Sequence, residues 1–406
     1  MIPCPKRLKN LNKNKGVPMA QQPDIDQRKL FTQTLIFSMI IWFLVLMGWS
    51  YFSKPPVSDK PPEQIIQAIQ KLRADKDYVQ ASRFAQELAT RFRGTEMGAM
   101  GLLLEAQIFY EDKKEPREAF NRLRQMEEFY AHTRVFREQG RPLYEKVSEE
   151  IDSHNRQFPT YRFIDFLVGL YGRADWSYVL AIVTISLLVR LILYPLTNKQ
   201  LASIRKMIAV APKLQELQQK YSGQELMHRQ MTLYKKYGVN PMAGCLYALV
   251  PIPFLIYMYN MFLLYQVQFQ KGHFLWINPD IGARFPGTIA SHLGQFDAPL
   301  TLLYAVSMYL TSRLTVTDPS QAQMQKTMAL FTTLMLVVFS WQFRFPAAFI
   351  LYWMLTNVFY TIHYKLYMRR PMPELEAITS DDEPRNGQFA QRKTQYQPSQ
   401  KRSKKR

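Results

Sequence analysis

The sequence predicts an all-α integral membrane protein: an N-terminal anchor helix, a helical extracytoplasmic domain, and a five-span core carrying a cytoplasmic helical hairpin. Three observations predict it. Uncharged apolar runs long enough to cross a bilayer alternate with strongly charged segments, so the mean hydropathy of -0.22 describes neither part. Lysine and arginine outnumber the acids to leave a formal charge of +20, and they gather at both termini and at one set of loops. Residues 54–157 carry apolar positions at three- and four-residue steps, the spacing of one helix face.

The chain opens with a basic segment, 1–30, in which Lys6, Arg7, Lys9, Lys13, Lys15, Arg28 and Lys29 face only Asp24 and Asp26; Met19 is an alternative start to Met1. The uncharged run 31–53 ends in Trp42, Trp49, Tyr51 and Phe52, some of them membrane-interface anchors. It is long and lacks a small-residue cleavage site, so it reads as a retained anchor with its N-terminus in the cytoplasm. A stiff proline-rich linker, Lys54–Glu63, follows. Helices are then expected near 63–74, 77–93, 96–111, 116–131 and 137–155. Small and aromatic residues recur in them: Ala81, Phe84, Ala85, Leu88; Ala106, Phe109, Tyr110; Ala119, Phe120, Leu123. This resembles tetratricopeptide-type hairpins, and a small helical bundle fits the same pattern. Either would offer a docking surface for a protein partner. Its His132 and His154 are isolated, and its carboxylates fall at the spacing of a solvated helix surface.

Residues 158–173 are amphipathic, with Phe163, Phe166, Leu167 and Leu170 apart from Arg162, Asp165 and Arg173, and should lie along the membrane surface. The span 176–197 holds Arg190, about 21 Å along the helix from Trp176. A cation there costs from about 3 to over 10 kcal/mol, so function is the first hypothesis and snorkelling to the headgroups the plain one. Ser186, Tyr194 and Thr197 share its face, a polar stripe that calls for a water-filled groove or a polar partner helix.

Residues 198–237 read as a charged helical hairpin broken at Ser222-Gly223, with Lys199, Arg205, Lys206 and Lys213 offered for docking an acidic partner. Further spans fall near 241–266, 298–314, 327–343 and 346–366, with Pro251 and Pro253 expected to bend the first of them. The tail 371–406 ends in Lys401, Arg402, Lys404, Lys405 and Arg406; it reads as disordered, binding phosphate in ribosomal RNA or anionic lipid, or simply solvated. The basic loops and both termini are placed in the cytoplasm. The two cysteines, Cys4 and Cys245, give no metal spacing or disulfide framework. No nucleotide loop, catalytic set or metal cluster is legible, so no cofactor is expected and the chain does not read as an enzyme.

Four segments, VRLILYPLTNKQLASIRKM, KYGVNPMAGC, VTDPSQAQMQKTM and FPAAFILYWMLTN, stand in order between about Tyr161 and Arg370. In these the chain resembles the YidC-type membrane protein insertases, also called the Oxa/Alb family, in their six-span bacterial form. The resemblance implies five spans around a hydrophilic groove open to the cytoplasm and to lipid, in the cell inner membrane. It places the essential arginine at Arg190, a groove position at Ser186, and substrate-facing residues at Tyr352, Trp353 and Asn357. It implies nascent membrane proteins as substrates, and the ribosome, membrane lipid and the Sec translocon as partners. Three departures stand out. Residues 54–157 read as helical where well-known members carry a β-sandwich, Ala348 replaces a usual glycine, and Pro251 a common glutamine.

The expected mechanism is insertion: the polar flank of a substrate crosses a thinned, hydrated barrier, Arg190 attracting its acidic residues in a low dielectric. Met258, Met261, Met308, Met328 and Met335 would form an adaptable apolar wall or serve as ordinary packing. Two other classes fit some of these features. One is a transporter or channel for an anionic solute. The other is a membrane-anchored scaffold working through the helical domain.

Overall fold

The computed structural model describes Ile41 and residues 60–239, 251–315 and 322–371. Ile41 apart, the anchor and basic segment expected at 1–53, the first part of the span expected at 241–266, and the tail beyond 371 lie outside the described residues, as does any bend before Pro251. Among the described residues the regular structure is helical, and an isolated bridge pairs Phe274 with Ile277.

The first set comprises α1 (Pro62–Ala74), α2 (Tyr78–Arg91), α3 (Glu96–Gln107), α4 (Pro116–Tyr130) and α5 (Arg141–Asn155). Polar residues cap two of them: Asp77 accepts from the Gln80 amide at 3.1 Å at the start of α2 and Thr95 from the Gly98 amide at 3.3 Å at the start of α3, as N-caps do. Five-residue π turns at Ile108–Asp112 and Phe136–Gly140 prolong α3 and lead into α5. Each helix packs on the next in the chain. Ala81, Ala85 and Leu88 are buried with Ile65, Ile69, Leu104 and Ile108, whereas Ala106, Ala119, Phe120 and Leu123 join a second core around Met126 and Tyr144. Phe84, Phe109 and Tyr110 cover the edges of these cores. Such sequential pairing serves a hairpin repeat and a short bundle equally.

The second set comprises α6 (Pro159–Leu170), α7 (Ser177–Lys220), α8 (Gly223–Lys236), α9 (Pro251–Leu264), α10 (Ala298–Leu314), α11 (Ala322–Phe343) and α12 (Ala347–Met368). α7 and α11 are long and apolar enough to cross a bilayer, by length and composition. The span expected at 176–197 and the first arm of the hairpin are continuous as helix. α7 is one helix of 44 residues that continues through Pro195 and Pro212 into the first arm of the hairpin. A proline removes one ladder hydrogen bond and crowds the carbonyl four residues before it, which bends a helix without ending it when the turns on both sides persist.

The common core joins Ala181, Ile182, Ile185 and Val189 of α7 to Met258, Met261 and Phe262 of α9, Tyr304 of α10, and Phe349 and Tyr352 of α12. Met258 and Met261 are therefore packing residues, buried rather than lining a wall. Outward-facing leucines and isoleucines, among them Leu188, Ile192, Leu302, Leu310, Leu334 and Ile362, leave an exposed apolar surface on several helices. Lipid is the solvent that suits such a surface.

One end of the bundle is closed by residues 265–297 and by the turn at Arg344. Asp297, fully buried, caps α10 through the Leu300 amide (2.7 Å) and also accepts from the Ala290 amide and the Trp276 indole, each at 3.0 Å. The first amides of α12 are satisfied in turn: Ala347 donates to the Gln295 carbonyl at 2.7 Å and Ala348 to that of Leu293 at 2.9 Å. Those groups would otherwise be orphaned at a helix start.

Candidate functional site

Arg190 stands one turn after Ser186 on α7 and reaches α12, where its guanidinium donates to the main-chain carbonyl of Thr356 and lies over the Tyr360 ring, 5.3 Å from its centre. The side chain is half-buried, and its Nε is buried without a hydrogen-bond partner. Among the described residues no carboxylate pairs with it. Thr356 and Tyr360 were not foreseen from the sequence. The signal that points to them is the four-residue spacing of Tyr352, Thr356 and Tyr360, which puts all three on one face of α12.

The polar stripe on α7 faces a partner helix. Ser186 is fully buried and donates to the Ile182 carbonyl at 2.8 Å; Thr197 donates to Leu193 at 2.9 Å. Tyr194 stacks on His363 of α12 with ring centres 4.9 Å apart, and Nε2 of His363 is 2.9 Å from the Asn198 side-chain oxygen. These hydroxyls and rings serve their own helix or α12.

The other expected positions divide. Tyr352 is buried with its ring 5.2 Å from Phe262, inside the core. Trp353, half-buried, stacks on Tyr304 (5.8 Å) and meets Phe349 (4.7 Å). Asn357 is half-buried and its amide nitrogen has no partner. In the hairpin Lys199 and Lys206 are exposed. Lys213 donates to the Tyr237 hydroxyl on the facing arm and lies 4.4 Å from that ring. Arg205 stacks over Tyr367 and donates to the carbonyls of Arg370 and Pro371, so it ties α7 to the end of α12. Lys401, Arg402, Lys404, Lys405 and Arg406 lie outside the described residues.

At the closed end, the helical domain docks through polar groups. Arg344, in the turn between α11 and α12, pairs with the buried Glu128 of α4, donates to the Gly287 carbonyl at 2.8 Å, and lies over the rings of Phe296 (4.3 Å) and Phe129 (4.8 Å). Beside it Glu127 accepts from Gln295 at 3.1 Å and contacts His292 at 3.3 Å. Burial alone would raise the Glu127 carboxyl, but His292, Gln295 and Tyr144 together hold it below its ordinary value. Asn155 donates to the Leu264 carbonyl at 2.9 Å. Asp152 accepts from Tyr161 at 2.7 Å and from Gln268 at 2.9 Å.

A family model described as 60Kd inner membrane protein matches residues 169–374, about half of the chain. The membrane protein insertase YidC of Wolinella succinogenes is 36% identical over 221 residues, which is 53% of this chain and 37% of that protein. Its counterpart in Helicobacter pylori (strain 26695) is 36% identical over 201 residues, 48% of this chain and 33% of that one. That of Sinorhizobium fredii is 32% identical over 231 residues, 54% and 37%. The chain thus matches about a third of the length of these curated relatives. A crystal structure of an active YidC insertase with its first transmembrane domain resolved aligns at 20% identity and a TM-score of 0.38, covering 66% of this chain and 53% of that one. Matched by the family model from Gly169 to Glu374, the span that holds Arg190, the hairpin and α12, the chain belongs to the 60Kd inner membrane protein family, the YidC-type membrane protein insertases.

Proposed function

We propose that the protein inserts integral membrane proteins into the bacterial inner membrane and helps them fold, with Arg190 as the group that draws the polar flank of a substrate into the bilayer. The observation that carries this reading is a half-buried guanidinium in an apolar bundle, held by a neutral carbonyl and a ring, with no carboxylate partner among the described residues. A substrate carboxylate would make a stronger, charge-assisted bond than the Thr356 carbonyl does, so exchange of one for the other favours entry. Low dielectric magnifies the difference. Ser186, Tyr352, Trp353 and Asn357 are assigned to the same region, Trp353 and Asn357 being the half-buried ones that a substrate helix would meet. The driving force is partitioning of apolar helices into lipid, and no cofactor is needed.

In this reading both termini and the hairpin are cytoplasmic and the domain of α1–α5 is extracytoplasmic, with spans beginning near 31, 176, 241, 298, 327 and 346. The exposed Lys199 and Lys206, and the tail with Lys401, Arg402, Lys404, Lys405 and Arg406, would meet ribosomal RNA, a targeting partner or anionic lipid. Cooperation with the Sec translocon belongs to the same proposal, as does a protein partner for the helical domain. The test is insertion of a single-span substrate with an acidic flank into vesicles holding the purified protein. Arg190→Ala should lower insertion at least tenfold and Arg190→Lys should retain most of it; equal insertion by wild type and Arg190→Ala refutes the role. Deleting residues 63–155 separates the scaffold reading, which loses all activity, from insertion by the bundle, which persists.

A further inference from the structure

A cleft of about 420 Å3 opens where the end of α5, the amphipathic α6 and the loop after α9 meet. Its charged lining is Arg156, Arg162, Arg173 and Lys271 against Asp165. Two of those cations are already neutralised: Arg173 holds Asp165 through two bonds of 3.0 and 2.8 Å, and Arg156 holds Asp152 at 2.8 Å. The other two are not. Arg162 spends only its Nε, on the Arg156 carbonyl at 3.0 Å, and Lys271 has no partner among the described residues. The cleft therefore keeps two unneutralised positive charges, one of them a planar fork suited to phosphate oxygens.

Directly beside it runs a row that water does not suit. Phe163, Phe166 and Leu170, at helical spacing on α6, are 41%, 65% and 66% exposed, and Phe166 also lines the cleft. The opposite face of α6, through Ile164, Leu167 and Val168, is buried in the bundle core. An exposed apolar row bordered by uncompensated cations matches an amphipath whose anionic head and hydrocarbon tails leave in different directions. A soluble phosphate would satisfy the cations and leave the row bare.

We propose that this cleft binds the phosphate of an anionic phospholipid headgroup through Arg162 and Lys271, with an acyl chain lying along Phe166. The site rests on the bundle lying in a bilayer and not on Arg190 serving substrates. Arg162 and Lys271 come from elements far apart in the chain, so a bound headgroup would also pin α6 to the loop after α9.

Native mass spectrometry of the full chain, released from detergent with added lipid, tests this. The probes are phosphatidylglycerol, phosphatidylcholine and inorganic phosphate. Wild type should retain phosphatidylglycerol in preference to phosphatidylcholine, with excess inorganic phosphate displacing little of it. Each surface cation contributes about fivefold in affinity, so the double variant Arg162→Gln, Lys271→Gln should bind phosphatidylglycerol about 25-fold more weakly. The charge-conserving pair Arg162→Lys, Lys271→Arg should keep it, which separates lost charge from lost fold. Equal phosphatidylglycerol retention by wild type and the Gln variant overturns the proposal. Free displacement by inorganic phosphate overturns its lipid part and leaves a simple anion site.

Discussion

Arg190 on α7 and Thr356 on α12 are joined by a bond from the guanidinium to a main-chain carbonyl, in the middle of an apolar bundle. The carbonyl oxygen has a second lone pair for the helix ladder, so losing the guanidinium strands no acceptor. Arg190→Ala removes a charge that has no carboxylate partner among the described residues and leaves none uncompensated. Its unfolding free energy should therefore stay within about 1.5 kcal/mol of wild type. Thermal unfolding in detergent measures this alongside insertion activity. A large loss of stability would make Arg190 a structural tie and remove the reason to assign it to substrates.

Arg344 and Glu128 present the opposite case. Both side chains are buried, at 12% and 3% exposure, and they face each other across the seam between α4 and the turn before α12. Arg344→Ala would leave the Glu128 carboxylate buried without its partner, a change that costs about 3–5 kcal/mol. Arg344→Met with Glu128→Leu removes both charges and should be much milder. Protease resistance of the α4–α5 segment in the full chain reads the difference, and equal sensitivity of the two variants would exclude the pair as the clamp of this seam.

Gly101 sets the approach of α3 to α2. A Cβ there would stand 2.4 Å from the Ala89 nitrogen and 2.8 Å from the Ala85 oxygen, both backbone atoms that cannot turn aside. Gly101→Ala should destabilise the helical domain by about 1–3 kcal/mol, the usual cost of overpacking, despite the gain in helix propensity. Gly169→Ala on α6 is the control, because its nearest neighbour would be the flexible end of Arg173 at 3.7 Å. That variant should be neutral or slightly stabilising in the same melting experiment.

What the sequence made legible were features that repeat along a helix. The three- and four-residue steps of Ala81, Ala85 and Leu88 mark a buried face whatever the neighbour is. Arg190 stood out because a charge in an apolar run is costly wherever it points. Pairings between distant elements left no such mark. Thr356 reads as one more weakly polar residue in a span, and its role comes from a carbonyl that every residue possesses. Asp297 reads as loop charge, although an Asp before Ala-Pro is an N-cap signature and could have been recognised as one. The boundary drawn at 197 followed the end of the apolar run, yet apolarity ends where the lipid ends and the helix of α7 does not. The resemblance puts Tyr352 on a substrate path, whereas its ring packs on Phe262 and Phe349, a choice made by α9 and α12 together.

Asp165 ties α6 to Arg173 in the turn before α7 and to Tyr265 just after α9, and should make that junction pH-dependent. Arg173, bonded to it at both carboxylate oxygens, holds its carboxyl below the ordinary range; burial opposes this and the Tyr265 hydroxyl at 2.9 Å assists. The folded-state value is therefore lower than the unfolded one of about 3.9. A carboxylate of this kind contributes stability that is complete above the unfolded value and is lost as pH falls through the folded one. Arg173 stays charged throughout, so only the carboxylate titrates. The melting-temperature difference between wild type and Asp165→Asn should be constant and positive from about pH 5 upward, then shrink toward zero below about pH 4. The pair is partly open to solvent, so the plateau should be modest and should shrink further in high salt. A difference that persists unchanged through pH 3 would show that Asp165 acts as a neutral hydrogen-bond acceptor and that its charge adds nothing to the junction.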